Sequence, residues 1–117
     1  MKNTFLHAVN GLIHAVRQEI NIKIHLLAAT VVIMMGVYFG ISSTEWLFII
    51  GCCMWVLSLE LLNTAIENIC NLVSKDFHPL IKVIKDVAAG AVLVSAIGSA
   101  VIGLIIFLPK IIHQIKI

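Results

Sequence analysis

The segment from residue 60 to residue 71, ELLNTAIENICN, carries carboxylates and amides at helical spacing. Its polar side chains at one to three turns from each other are Glu60, Asn63, Glu67 and Asn71. At 100° per residue they fall on one stripe of a helix, within an arc of about 80°. The preceding run WLFIIGCCMWVLSL is apolar enough for lipid, where each carboxylate costs about 3 kcal/mol near the bilayer centre. Such a stripe can serve proton transfer from a lipid hydroxyl, an ion path, or polar contacts between helices.

The composition predicts an integral membrane protein. Of 117 residues, 61% are hydrophobic and 12% are charged, and the mean hydropathy is +1.09. A soluble domain of this size has too much surface to cover with so few charges. The net charge of +2 gives no footprint for nucleic-acid binding, so no nucleic-acid partner is expected. The five histidines are scattered and predict no metal site.

Three apolar segments are long enough to span a bilayer, so the predicted fold class is an all-α membrane protein. The predicted spans are residues 22–41, 46–66 and 87–108. In residues 1–20 the apolar positions recur at spacings of three and four, which predicts an amphipathic helix in the membrane interface. No repeat or domain boundary interrupts residues 1–117, which we interpret as one domain.

The ends of these segments carry their own signals. Ser42 and Glu45 have the spacing of a capping box before the second span. Pro109 is predicted to end the third span. The polar residues 71–86, interrupted by Pro79, are predicted to form a loop.

The distribution of Lys and Arg predicts the orientation. Six of the eight lie before or at the start of the first span or in the 71–86 loop, and two follow the third span. The positive-inside bias therefore places the N-terminus and this loop in the cytoplasm. Five ionisable side chains from three segments would then meet at the cytoplasmic edge of the membrane: Glu19, Glu60, Glu67, Lys85 and Asp86.

Carboxylates from several segments suit Mg²⁺, which binds oxygen ligands and nucleotide phosphates, and a nearby lysine can neutralise phosphate charge. A deeper glutamate can accept the proton of a hydroxyl that stays in the membrane. These residues therefore predict phosphoryl transfer onto a membrane-embedded alcohol. The alternative is a non-enzymatic channel or transporter subunit, although three short spans leave little room for alternating access.

Two motifs resemble the signature of the prokaryotic diacylglycerol kinase / undecaprenol kinase family: ELLNTAIE at residues 60–67 and KDVAAGAVL at residues 85–93. The resemblance covers nearly the whole chain, including GLIHAVRQEINIKIH and FHPL. It implies a homotrimeric, multi-pass lipid kinase of the bacterial cytoplasmic membrane that uses Mg²⁺ and ATP. Its active sites would lie between subunits, on the cytoplasmic side.

The resemblance also implies residue roles. Glu60 corresponds to the catalytic base, and Glu19 and Glu67 correspond to the metal-binding glutamates. The residues implied at the nucleotide are Glu19, Asn63, Glu67, Asp76, His78, Lys85 and Asp86.

The chain departs from the family pattern at two places. Asn71 stands where the family usually has Asp, so a charge role is lost there. The sequence AAGAV at residues 88–92 resembles the undecaprenol branch, whereas the diacylglycerol branch tends to have serine at position 89. We therefore expect undecaprenol to be the preferred lipid and diacylglycerol to be accepted more weakly.

Overall fold

The computed structural model describes residues 2–116 and is all-helical within that range. Its helices are α1 (Lys2–Gln18), α2 (Ile20–Phe39), α3 (Ser43–Val73) and α4 (Pro79–Ile115). The last three are long and apolar enough to cross a membrane, which confirms three helices of spanning length. α3 packs against both α2 and α4.

A tight turn joins α2 to α3. Gly40 adopts the left-handed conformation at φ 60°, and its N–H and that of Ile41 bond to carbonyls of the last turn of α2. This is the usual use of glycine after a helix, because the missing Cβ removes the steric penalty. The Ser42 hydroxyl then accepts from the N–H of Glu45, while Glu45 Oε1 accepts from the N–H of Ser42. The predicted capping box is confirmed.

Pairs of side chains show that neighbouring helices run antiparallel. At one end, Lys110 Nζ lies 2.9 Å from Glu45 Oε2; we call this the hairpin end, since it contains the α2–α3 turn. At the other end, Lys85 Nζ donates to Asn71 Oδ1 at 2.6 Å; we call this the linker end, since it contains the α3–α4 connection. The apolar core cluster of Ile41, Ile49, Ile106 and Phe107 lies at the hairpin end.

The prediction of a loop over residues 71–86 is wrong. α3 continues to Val73 and α4 begins at Pro79, which leaves only residues 74–78 outside the helices. Proline suits the first turn of a helix, where its missing N–H has no intrahelical partner and its φ is already helical. His78 caps this helix, because its Nδ1 accepts from the N–H of Leu80 at 3.1 Å. Most residues of this polar segment therefore belong to helices: residues 71–73 end α3, and residues 79–86 begin α4.

The prediction that Pro109 ends the third span is also wrong, since α4 continues through it to Ile115. Proline removes one backbone bond, and transmembrane helices tolerate this loss when neighbours hold the chain in place. Here Lys110 binds Glu45, and Gln114 Nε2 donates to the Tyr38 hydroxyl at 2.6 Å. These two contacts tie the last turns of α4 to α3 and α2.

We expect Gly36→Ala to destabilise the α2–α3 hairpin. A Cβ at Gly36 would lie 2.7 Å from Trp46 Cη2 and 3.1 Å from Ile41 Cδ1. Overpacking of this kind costs about 1–3 kcal/mol, more than the roughly 1 kcal/mol gained in helix propensity. Thermal unfolding in detergent should show a lower midpoint. Gly11→Ala is the control, since a Cβ there meets no described atom within 4 Å, and an equal loss in both variants would contradict the packing argument.

Candidate active site

The deepest carboxylate of the polar stripe is Glu60, which is only 3% exposed. It lies on α3 and faces α2, where His25 Nε2 is 3.6 Å from its Oε2. Glu60 is about 10 Å farther from the linker end than Glu67, at 1.5 Å per residue. A buried carboxylate with an imidazole beside it is a chemically competent proton acceptor.

One turn nearer the linker end, Asn63 Nδ2 donates to Glu67 Oε1 at 3.2 Å. Asn63 is 5% exposed and Thr64 is 7% exposed. Asn63 Oδ1 and Thr64 Oγ1 are buried and have no hydrogen-bond partner among the residues that the structure describes. Buried polar atoms without partners are costly and uncommon in native proteins. These two oxygens are therefore available to a ligand that enters the stripe.

Lys85 and Asp86, the pair that the resemblance implies at the nucleotide, do not bind each other. Lys85 donates to Asn71 across the α3–α4 interface, and Asp86 Oδ2 binds Lys82 Nζ at 2.6 Å on the exposed face of α4. Asn71 is the position where the chain departs from the family pattern. Its amide oxygen orients the lysine without neutralising it, so the positive charge stays available to an anionic ligand.

Asp76 and His78 lie in the connection between α3 and α4, and both are exposed. The Ser74 hydroxyl donates to the main-chain carbonyl of Asp76 at 3.2 Å, which shapes the turn and leaves the carboxylate of Asp76 outside that bond. The imidazole of His78 is used as the cap of α4. These two residues are thus at the linker end, close in sequence to the Asn71–Lys85 contact.

Glu19 is the single residue between α1 and α2, with extended backbone angles (φ −110°, ψ 119°). It is half-buried, and its side chain makes no capping bond to α2. Within residues 2–116 of one chain, no cluster of three or more His, Cys, Asp or Glu is placed to hold a metal ion. The donors present at the linker end are nevertheless hard oxygens, and the unpartnered Asn63 Oδ1 adds another, so the residue types fit Mg²⁺.

Sequence reasoning missed two residues of this site. His25 was counted among scattered histidines, although an imidazole inside a span of apolar residues is itself a signal, because buried ionisable groups need partners. Asn71 was interpreted as a member of the polar stripe and as a lost charge, whereas the structure gives its amide a specific contact with Lys85. Neither contact is visible in the spacing along one helix, since each joins two helices.

Comparison with known proteins points to one family. The sequence model of the prokaryotic diacylglycerol kinase family matches residues 6–107. The chain belongs to this family. Among its relatives is the undecaprenol kinase of Bacillus subtilis strain 168, 46% identical over 107 residues that cover 92% of this chain and 87% of the relative.

Two further relatives are named diacylglycerol kinases. The protein of Synechocystis sp. is 34% identical over 91% of this chain, and the alignment spans 61% of that relative. The protein of Pseudomonas aeruginosa is 33% identical over 73% of this chain and 69% of the relative. The chain is thus a lipid kinase of the prokaryotic diacylglycerol kinase family. This family membership favours the kinase prediction over the channel alternative.

Proposed function

We propose that this lipid kinase transfers the terminal phosphoryl group of ATP to the hydroxyl of undecaprenol, and more weakly to that of diacylglycerol. The observation that carries the proposal is the buried carboxylate of Glu60. Its depth on α3 suits a substrate whose hydroxyl stays in the membrane. Glu60 accepts the hydroxyl proton as the oxygen attacks the phosphorus, and ADP leaves.

The residues of the linker end are proposed to bind the nucleotide. Lys85, held by Asn71 and still charged, can compensate the negative charge of the phosphates. Asp76, His78 and Asp86 lie around the same end, and Asn63 offers an unpartnered oxygen deeper in the site. A site at this end receives ATP from water and the lipid from the membrane.

Mg²⁺ is proposed as the cofactor, held by Glu19 and Glu67. When bound, it neutralises phosphate charge and orients the nucleotide. Asn63 holds the Glu67 carboxylate through its Nδ2, which keeps this ligand in a fixed position. We propose that a neighbouring subunit completes the site, as expected for a homotrimer.

The membrane placement is part of the proposal. Six of the eight Lys and Arg residues support a cytoplasmic linker end and N-terminus. Exposed apolar side chains of α1, such as Phe5 at 75% and Leu12 at 49%, support a position of this helix in the membrane interface. Apolar side chains exposed along α2–α4 face lipid or neighbouring subunits.

The substrate preference is tested by competition in one bilayer. The start of the third span, Ala88–Ala91, offers no side-chain hydroxyl. A diacylglycerol would leave ester carbonyls beside this apolar wall at a cost of about 1–3 kcal/mol, whereas an isoprenyl chain has no such group. With equal mole fractions of both lipids, we expect a higher kcat/KM for undecaprenol.

The variant Ala89→Ser tests the reason for this preference. The added hydroxyl can donate to an ester carbonyl, so the ratio of the two specificity constants should move towards diacylglycerol. Val94→Thr is a control, since residue 94 is 72% exposed and lies farther along α4. A higher specificity constant for diacylglycerol in the wild type would overturn the preference and leave the kinase function intact.

Activity itself is tested with purified protein in liposomes and ATP labelled at the terminal phosphate. Label in the lipid extract supports the proposal. Ion flux across the same liposomes with no label in lipid would support a channel instead.

A further inference from the structure

We infer that His25 is a positioning residue that holds the carboxylate of Glu60 for proton transfer. The inference rests on the proposed lipid kinase function and adds a residue to its site. His25 lies on α2 and Glu60 on α3, so the contact joins two spans. The catalytic carboxylate would therefore be oriented by a helix other than its own.

The geometry favours a functional contact over a chance approach. His25 Nε2 is 3.6 Å from Glu60 Oε2, and the two side chains are 24% and 4% exposed. This separation is just beyond hydrogen-bond length, so a small side-chain movement can close it when a substrate binds. A buried carboxylate without a partner is strongly disfavoured in an apolar region. The imidazole supplies the N–H that keeps Glu60 oriented there.

The surroundings of His25 leave Glu60 as its polar partner. A cavity of about 180 Å³ beside the imidazole is lined mainly by small and branched apolar residues, including Ala28, Ala29 and Ala96. Cys53 of α3 contributes a thiol to this cavity.

Apart from Cys53, the titratable groups of the packed helices have other partners or lie elsewhere along the chain. On α3, Glu67 is bound to Asn63 and Cys70 is buried nearer the linker end. On α4, Lys82 binds Asp86, and Lys85 binds Asn71. The remaining ones near this end, on α1 and α2, are exposed: His7, His14, Arg17 and Lys23. Glu19, between these two helices, is half-buried.

We expect His25→Ala to lower kcat by about tenfold to a hundredfold, the scale of loss when a reacting group is misplaced. KM for ATP should change little, since the nucleotide residues lie at the linker end.

Three further variants distinguish a positioning role from a packing role. His25→Gln keeps an N–H donor and should recover part of kcat, which a role in packing alone would not predict. His113→Ala is the matched control, because His113 is an exposed histidine at the hairpin end. In the Glu60→Gln background, His25→Ala should add less than about a twofold loss, since the two residues act as one unit.

Each outcome bears on the inference. A kcat for His25→Ala equal to that of the wild type overturns the role of His25, and so does a full multiplicative loss in the double variant. A lower kcat for His25→Ala with no recovery in His25→Gln also overturns it. If the wild type itself transfers no phosphate to lipid, the proposed function fails instead.

Discussion

Glu60→Gln is expected to lower phosphoryl transfer to lipid by about 10²–10⁴-fold, the usual contribution of a general base. The amide keeps the shape of the side chain and can still approach His25, but it cannot take the proton of the alcohol. Since Glu60 makes no cap or turn, its replacement by an isosteric amide should leave the helices and the proposed trimer largely intact. Turnover in liposomes with labelled ATP measures the effect, and size-exclusion chromatography checks the assembly.

The chain offers a matched control in Glu45→Gln. Glu45 lies on the same helix but at the hairpin end, where it binds Lys110 and completes the capping box. Glutamine can keep the capping box, so turnover should stay near that of the wild type. The role of Glu60 is wrong if Glu60→Gln retains more than about a tenth of wild-type turnover, given the size of general-base effects.

The second large effect concerns Glu19 and Glu67. Each replacement by glutamine should raise the Mg²⁺ concentration needed for half-maximal turnover, because an amide is a weaker ligand of a hard cation than a carboxylate. The double variant should be much less than additively worse, since two ligands of one ion act as a unit. Magnesium titrations at saturating ATP measure these shifts.

Assemblies that combine two different variant chains in the proposed trimer test whether the ion lies between subunits. If the ion lies between subunits, assemblies made from Glu19→Gln and Glu67→Gln chains should recover part of the activity, because some interfaces receive neither substitution. If the loss of activity in the double variant equals the full sum of the losses in the two single variants, expressed as free energies, the two glutamates do not share an ion.

The sequence was most informative where a single helix carries the signal. The stripe from Glu60 to Glu67, the three apolar segments and the capping box of Ser42 all follow from periodicity or local chemistry along one element. The signature motifs then led to the family, which the comparisons show.

The failures have physical causes too. Pro79 and Pro109 were both interpreted as breaks, although the first begins α4 and the second lies within it. Proline alone does not determine whether a helix ends, begins or continues at its position. The cap from His78 helps α4 to begin at Pro79, and the contact of Lys110 with Glu45 holds α4 beyond Pro109. Such contacts depend on the fold. The His25–Glu60 contact likewise depends on the register of α2 against α3, which the pattern of one helix does not contain.

The three spans differ greatly in length, with 20 residues in α2 against 31 in α3 and 37 in α4. At 1.5 Å per residue α2 is about 30 Å long, close to the hydrocarbon thickness of an ordinary bilayer. It has no apolar length in reserve, because Gly40 ends it on one side and the exposed Lys23 lies near its other end. A bilayer of long-chain lipids would therefore have to thin around α2 or draw Lys23 below the headgroups, while α3 and α4 could adjust by tilting. Because tilting α3 past α2 would slide Glu60 along His25, we expect turnover to depend on the acyl-chain length of the host membrane.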